Sequence, residues 1–441
     1  MEDLESKGKA ERISQNYMQM AIEEDLESKG KTEKTHQDYM QMALDLARQG
    51  AGKVSPNPMV GCVVVKDGRV IATGCHQEHG GFHAERNALL HCEENPEGAE
   101  LYVNLEPCCH YGKTPPCTEI ILEKKIRKVY VGCLDPNPKV AGNGIKILKE
   151  HGVQVEVGIL QEECLALNEV FFHYIKNQMP FVAMKYAMTL DGKIACETGD
   201  SKWVTGQEAR DYVQSLRNRY RGIMVGIGTV LADDPLLNCR MEGGKDPIRI
   251  VCDARLSMPF NSQIVKTAAK IETILAWNPH AAEEFRINQK FGMPKELKNS
   301  RQTVNPMQDK MPLSVEDTKN YLESKGVTLL EIPLKDAGSF PQLDVRQLLC
   351  QLGARKIDSI LLEGGGTLNA SILQEGLLQR VYAFVSPKLV AGAKAKSPVE
   401  GKGILYMKDA VELKEIEISS FGKDICITGR IGKEEICLPE S

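Results

Sequence analysis

Four residues in one stretch have the types and order for metal-assisted hydrolysis: His83, Glu85, Cys108 and Cys117. They lie in Gly80-Gly81-Phe82-His83-Ala84-Glu85 and in Glu106-Pro107-Cys108-Cys109-His110-Tyr111-Gly112-Lys113-Thr114-Pro115-Pro116-Cys117. Zinc takes imidazole nitrogen and thiolate sulfur, and a catalytic zinc keeps three protein ligands and one open position for water. His83, Cys108 and Cys117 are candidates for the three. A metal so held lowers the pKa of its water to about 7. Glu85, two residues past the histidine, is placed to carry protons between that water and a substrate amine. This is the logic of the zinc deaminases, H-x-E with a later Pro-Cys pair. Their general pattern has two residues between the cysteines; here there are eight, which leaves Cys109 and His110 as competing ligands. With a fourth ligand from either, the stretch would be a closed structural zinc site in a binding protein, and Glu85 would have no task.

The flanking sequence supplies elements to position these groups. Gly80-Gly81 gives a tight entry to a helix over 84–94, with Ala88, Leu89 and Cys92 at helical spacing. Leu101 to Leu105 reads as a strand ending at Pro107. Pro115-Pro116-Cys117 reads as a helix start, where a thiol has a lowered pKa. Gly61–Val65 and Val70–Gly74 flank Lys66-Asp67-Gly68-Arg69, a hairpin signal. A helix over 117–125, a strand over 128–133, a helix over 143–151 and a strand over 153–157 then alternate, which predicts an α/β layer fold with a mixed sheet. Asp135-Pro136-Asn137-Pro138 is a loop after a strand, where ligand contacts often lie.

A helix over 161–177 leads to a second alternation from Pro180. It comprises strands Phe181–Ala187, Gly222–Val225, Ile248–Cys252, Glu272–Trp277, Val327–Ile332, Ser359–Glu363 and Arg380–Val385, a helix Gln207–Arg219, and a closing pair near 411–430. Gly364-Gly365-Gly366 joins a strand to a helix over 368–376. Free N–H groups at such a helix start bind phosphate, but the turn is not the G-x-G-x-x-G of a Rossmann fold. A polar stretch at 283–324 reads as an insertion, with Val315–Lys319 helical. Residues 2–22 and 24–44 are near-copies of each other. The second copy carries the helix face Tyr39, Met40, Ala43, Leu44 and Leu46, and the first is an appendage. The expected divisions are therefore 1–34, 35–158, a connecting helix over 159–180, and 181–441.

Composition narrows the class. A length of 441 residues suggests two or three domains. A formal charge of −5 gives no basic footprint for nucleic acid. No apolar run is long enough to span a membrane and no signal-peptide core is present. Fourteen scattered cysteines then point to a reducing cytoplasm rather than a disulfide framework.

The stretch Pro107–Cys117 and the signature Ser55-Pro56-Asn57-Pro58-Met59-Val60-Gly61 closely resemble the bifunctional deaminase–reductases of bacterial riboflavin biosynthesis, which carry the longer loop between the cysteines. Lys185–Ala195, Ser201-Lys202-Trp203-Val204-Thr205 and Gly226–Pro235 resemble their reductase half. The resemblance implies a cytidine-deaminase-like three-layer α/β/α domain followed by a dihydrofolate-reductase-like α/β domain. It implies zinc on His83, Cys108 and Cys117, and Glu85 as the catalytic residue. NADPH would be held by Ala187, Trp203, Thr229, Asp233 and the loop Gly365, Gly366, Thr367, Leu368, Asn369, Ala370 and Ser371. The ribose phosphate would be held by Ser201, Arg217, Leu237, Arg240 and Glu363. Asn57, His76, His110 and Lys113 would orient base or phosphate in the deaminase, while His79 and His91 are exposed or packing residues. The expected partners are pyrimidine ribotides and further copies of the chain. A nucleoside deaminase fused to an unrelated reductase is the competing enzyme class.

Overall fold

A computed structural model describes residues 34–138, 140–291, 314–335 and 341–432. The first copy of the N-terminal repeat and the centre of the expected insertion, 292–313, lie outside the described residues.

Helix α1 (His36–Arg48) opens on a capping box, in which Thr35 and Asp38 exchange side-chain and backbone bonds. Tyr39, Met40, Ala43, Leu44 and Ala47 are buried along it. Strands β1 (Gly61–Lys66) and β2 (Arg69–Cys75) form the expected hairpin. Asp67 and Gly68 take φ of 49° and 75°, the positive values its two-residue turn needs. Then follow α2 (Ala84–Leu90), β3 (Glu100–Leu105), α3 (Cys117–Glu123), β4 (Lys128–Cys133), α4 (Asn143–Glu150) and β5 (Gln154–Val157). The sheet order is β2-β1-β3-β4-β5, antiparallel around β1 and parallel from β3 to β5. Residues 62–65 and 101–105 are buried without alternation, so both faces of the sheet are covered. Helices α1 and α5 (Gln161–Leu167) meet on one side, and α2, α3 and α4 pack in succession.

The expected connecting helix over 161–177 is two helices, α5 and α6 (Glu169–Asn177). Asn168 breaks it. Its buried amide accepts from the Met59 N–H at 2.8 Å and donates to the Met59 carbonyl at 2.9 Å, which holds the chain just before β1.

The second sheet is built from β6 (Phe181–Thr189), α7 (Gln207–Arg219), β7 (Gly222–Gly226), α8 (Ile227–Asp233), β8 (Ile248–Cys252), α9 (Gln263–Lys266), β9 (Thr273–Trp277), α10 (Pro279–Phe291), α11 (Val315–Ser324) and β10 (Val327–Glu331). A small ladder pairs β11 (Leu334–Lys335) with β12 (Gln342–Leu343). Helix α12 (Val345–Ala354), β13 (Ser359–Leu362), α13 (Gly366–Gln374), β14 (Arg380–Ser386), β15 (Lys414–Phe421) and β16 (Asp424–Arg430) complete it. The order is β10-β9-β8-β7-β13-β6-β14-β16-β15, parallel as far as β14 and antiparallel beyond.

The 283–324 range is less of an insertion than its composition suggests. Ala282 on α10 and Val315 and Leu322 on α11 are buried with Trp277 in one core, so both flanks belong to the domain. Helix α12 was not anticipated, although Asp344 caps it at the Arg346 and Gln347 N–H groups and Val345, Leu348, Leu349 and Leu352 form its buried stripe.

The two halves are tied together at Glu169, whose side chain is 1% exposed. It meets Arg380 at 2.8 Å, Arg219 at 3.3 Å and Arg430 at 3.8 Å. Removing one partner from a buried ionic cluster leaves uncompensated charge. Glu169→Gln is therefore expected to lower the unfolding free energy by about 3–5 kcal/mol, read from denaturant midpoints, with zinc content unchanged in the folded fraction.

Candidate active sites

The first site grows from three chain ends. His83 is the residue just before α2, in extended conformation. Cys108 follows β3, and Cys117 opens α3. Gly74 on β2 lets α2 lie close, because a Cβ there would sit 2.4 Å from the Ala84 carbonyl oxygen. The His83 Nδ1 is 3.3 Å from the Cys108 sulfur and 3.5 Å from the Cys117 sulfur. The three ligand atoms lie within 4.8 Å of one another, and among the described residues no other such metal-binding group forms. Cys109 and His110 are not part of it, so the longer loop carries them away and the fourth position stays open.

The electrostatics follow from burial and crowding. The Cys117 thiol, the His83 ring and the Cys117 N–H at 3.3 Å all donate to the Cys108 sulfur, which pulls Cys108 down to about 4. Cys117 is pushed well up by its bond to that thiolate and by burial. His83 is raised, chiefly by the Cys108 sulfur. Glu85, in the first turn of α2, is 3% exposed. Burial and the Cys108 charge raise it to about 7, where a carboxyl exchanges protons most readily at neutral pH. The donor set suits zinc, whose usual ligands are thiolate sulfur and imidazole nitrogen, and binding would take the remaining thiol proton from Cys117.

His76 lies beside His83 with its ring edge-on and centroids 5.3 Å apart. Its Nδ1 is 2.9 Å from the Phe82 carbonyl and its Nε2 is 3.0 Å from the Asn57 amide nitrogen. The structure thus brings together Asn57 and His76, which are far apart in sequence. Lys113 and His110 are exposed on the loop, and the Lys113 Nζ is 3.5 Å from the His79 Nε2. His91 is exposed and bonds the Asn87 carbonyl. Two acids, Glu106 and Asp135, are buried beside this site. Glu106 accepts from the Gly142 and Ile145 N–H groups and anchors α4. Asp135 is raised by burial to about 7 and faces the charges of Cys108 and His83. Its Pro-rich loop was the only sequence signal.

The second site forms at the carboxyl ends of β6, β7 and β13. Glu363 follows β13 and takes Arg217 as a fork, Nε at 2.8 Å and Nη2 at 3.1 Å, with the Lys185 Nζ at 3.6 Å. Arg217 is therefore not a free phosphate cation. Its remaining nitrogen donates to the Asn238 carbonyl at 3.1 Å. Arg240 is exposed and has no carboxylate partner among the described residues. Leu237 is buried next to this pair, in the left-handed region at φ 52°. Ser201 and Ala187 are half-buried. Trp203 is exposed, with the Arg210 guanidinium 4.5 Å over its ring. Asp233 is exposed at the end of α8.

Helix α13 begins at Gly366, two residues earlier than expected, and its N-cap Gly365 offers no side-chain bond. Thr229 faces this turn, 3.9 Å from where a Gly365 Cβ would stand. Asn369 donates to the Pro398 carbonyl while its Oδ1 is buried without a partner. Ala370 and Leu368 pack inward, and the Ser371 hydroxyl bonds the Thr367 carbonyl. Uncapped N–H groups at this turn fit a phosphate-bearing cofactor, whereas the buried Asn369 Oδ1, an acceptor, fits a donor group and not the phosphate itself. One neighbour was unforeseen: the Glu400 carboxylate lies 3.2 Å from the Thr367 hydroxyl at this same helix start.

A half-buried three-donor metal group beside a buried carboxyl, joined to a glycine turn on a parallel sheet, defines a zinc deaminase fused to a nucleotide-dependent reductase. Residues 33–133 match the family described as the cytidine and deoxycytidylate deaminase zinc-binding region, and residues 180–427 match the RibD C-terminal domain. Riboflavin biosynthesis protein RibD of Actinobacillus pleuropneumoniae is 45% identical over 86% of this chain and 91% of its own length. The solved structure of Acinetobacter baumannii RibD is similar at TM-score 0.73 and 33% identity, covering 90% of this chain and 99% of that one. A Thermotoga maritima structure described as a diaminohydroxyphosphoribosylaminopyrimidine deaminase and 5-amino-6-(5-phosphoribosylamino)uracil reductase is similar at TM-score 0.71 and 34% identity, over 90% and 98% of the two chains. The chain belongs to the RibD family and is a bifunctional enzyme of riboflavin biosynthesis, with zinc in its deaminase and NADPH in its reductase.

Burial alone would raise the Glu363 carboxyl, but the Arg217 and Lys185 charges outweigh it and hold the group near 2, below its ordinary 4.5. Because the folded value is depressed, the stabilisation is complete above about pH 4.5 and is lost as pH falls toward 2. Glu363→Gln should cost on the order of 3 kcal/mol at neutral pH and flatten the acid limb of the stability curve, as measured by denaturant unfolding across that range.

Proposed function

We propose that the chain deaminates 2,5-diamino-6-ribosylamino-4(3H)-pyrimidinone 5′-phosphate at its 2-amino group. It then reduces the ribosyl unit to ribityl, giving 5-amino-6-ribitylamino-uracil 5′-phosphate. The observation that carries this reading is the buried Glu85 beside the three-donor group. Zinc on His83, Cys108 and Cys117 would supply a water acidic enough to ionise at neutral pH. Glu85 takes the proton from water and hands it to the departing amine, so that oxygen joins the ring carbon as ammonia leaves. The Asn57–His76 pair holds the pyrimidine edge. His110 and Lys113, on the exposed loop, meet base or phosphate.

In the second half NADPH supplies hydride. The open start of α13, with residues 365–371, takes its diphosphate, and Ala187, Trp203, Thr229 and Asp233 complete the cofactor cleft. Glu363, kept ionised by Arg217 and Lys185, accepts from the ribose hydroxyls. Arg240 meets the substrate phosphate, with Ser201 and Leu237 lining the same cleft. Glu85→Gln should abolish ammonia release while leaving bound zinc and the reduction of deaminated ribotide intact. Near-normal deamination in that variant would remove Glu85 from the mechanism.

We further propose a cytoplasmic homo-oligomer. No disulfide joins the described cysteines, and among the described residues no helix is long and apolar enough to cross a membrane. At the sheet edge β15 is exposed along its length, with Ile418 at 69%, and nearby Leu405 and Met407 are 86% and 88% exposed. Exposed apolar side chains on an unpaired edge strand offer a place for another copy to pair. Ile418→Asp should shift the sedimentation profile to smaller species; an unchanged profile would place the contact elsewhere.

A further inference from the structure

The deaminase loop that carries Asn57 is backed by the other half of the chain. Val54 to Asn57 is a turn closed by the Asn57 N–H on the Val54 carbonyl at 2.8 Å. Ser55, inside that turn, donates its hydroxyl to the Asp358 Oδ2 at 2.7 Å. Asp358 stands immediately before β13, at the amino edge of the second sheet, and is 3% exposed. Its other oxygen accepts from the Ser359 hydroxyl at 2.8 Å, and its backbone carbonyl accepts from the Phe181 N–H at 2.8 Å. The carboxylate is thus fixed by two adjacent strands, and its free oxygen is offered to the deaminase. The loop touches the same domain again at Gly52, where a Cβ would lie 2.5 Å from the Asn218 carbonyl oxygen. Beyond the turn, contact passes from Asn57 to His76 and on to the His83 ring.

We infer that Asp358, a residue of the reductase domain, is a positioning residue for deamination: through Ser55 it holds the loop that presents Asn57 to the pyrimidine. A buried carboxylate bonded by two hydroxyls, with the Arg221 charge acting on it from outside those bonds, is a costly feature, and the ion pairs of Glu169 already join the domains without it. The coupling runs one way. Asp358 lies at the amino end of β13 and the cofactor turn at its carboxyl end, so the reductase site does not depend on the contact. The inference rests on the proposed role of Asn57.

The test uses the full-length chain, with ammonia release from the diaminopyrimidine ribotide, zinc content, and NADPH-dependent reduction of separately supplied deaminated ribotide. Asp358→Ala and Ser55→Ala should each raise the deaminase KM about tenfold or more, the fold-change expected from losing a hydrogen bond to a charged group. Deaminase kcat, zinc and the reductase rate should stay near wild type. Asp358→Asn keeps an acceptor for Ser55 and should restore most of the affinity. If Asp358→Ala is insoluble, Ser55→Ala and Asp358→Asn carry the comparison. A raised KM in Asn57→Ala with a normal KM in the Ser55 and Asp358 variants would overturn the inference alone. A normal KM in Asn57→Ala would overturn the role of Asn57 and the inference with it. A fall in kcat at constant KM, or a parallel loss of both activities, would also overturn the inference.

Discussion

Two sulfurs and an imidazole held within 4.8 Å are the constraint around which the first domain is built. Brought this close, the two sulfurs compete for one proton, while the imidazole and the Cys108 thiolate favour each other's charged forms. The fold answers with the start of α3, whose Cys117 N–H points at the Cys108 sulfur, and with the His83 ring on the other side. The same crowding acts on Glu85. Buried in the first turn of α2 and facing the Cys108 charge, its carboxyl is pushed up to about 7. One packing decision therefore sets both the metal affinity and the acid–base group.

The second domain handles charge differently. Glu363, with 11% of its side chain exposed, is less buried than Glu85, and it meets Arg217 and Lys185 directly and is driven in the opposite direction. Two largely buried carboxyls are pushed apart, one up to about 7 and the other down to about 2, and their neighbours decide which is which. Glu169 shows a third outcome, a buried anion shared among three arginines that joins α6 to the second sheet. The deaminase half rests on the amino edge of that sheet and the cofactor turn opens at its carboxyl edge. The two chemistries are thus mechanically joined but spatially apart.

Much of this was legible in local sequence. The hairpin turn Asp67-Gly68, the strand 128–133, the helix 207–219 and the strand 248–252 lie where alternation and turn chemistry put them. Errors came where tertiary contacts overrule local pattern. Asn168 spends its side chain on Met59 and splits a helix that periodicity would continue. Residues 315–324 read as polar insertion because only one face of the helix is apolar, and the core that buries Val315 and Leu322 is supplied by Trp277 and its neighbours.

The sequence by itself determined the chemistry on offer. His-x-Glu, Pro-Cys and Pro-Pro-Cys in that order admit few other uses, since ligand type is a property of the side chain alone. It could not choose among Cys108, Cys109 and His110, because adjacent residues point in different directions and only the packed loop selects one. Nor could it show that Arg217 is already engaged by Glu363, 146 residues away, or that Asp358 reaches across to Ser55. Such pairings depend on which strand ends lie side by side, and that order is set by burial over the whole sheet rather than by any local run of residues.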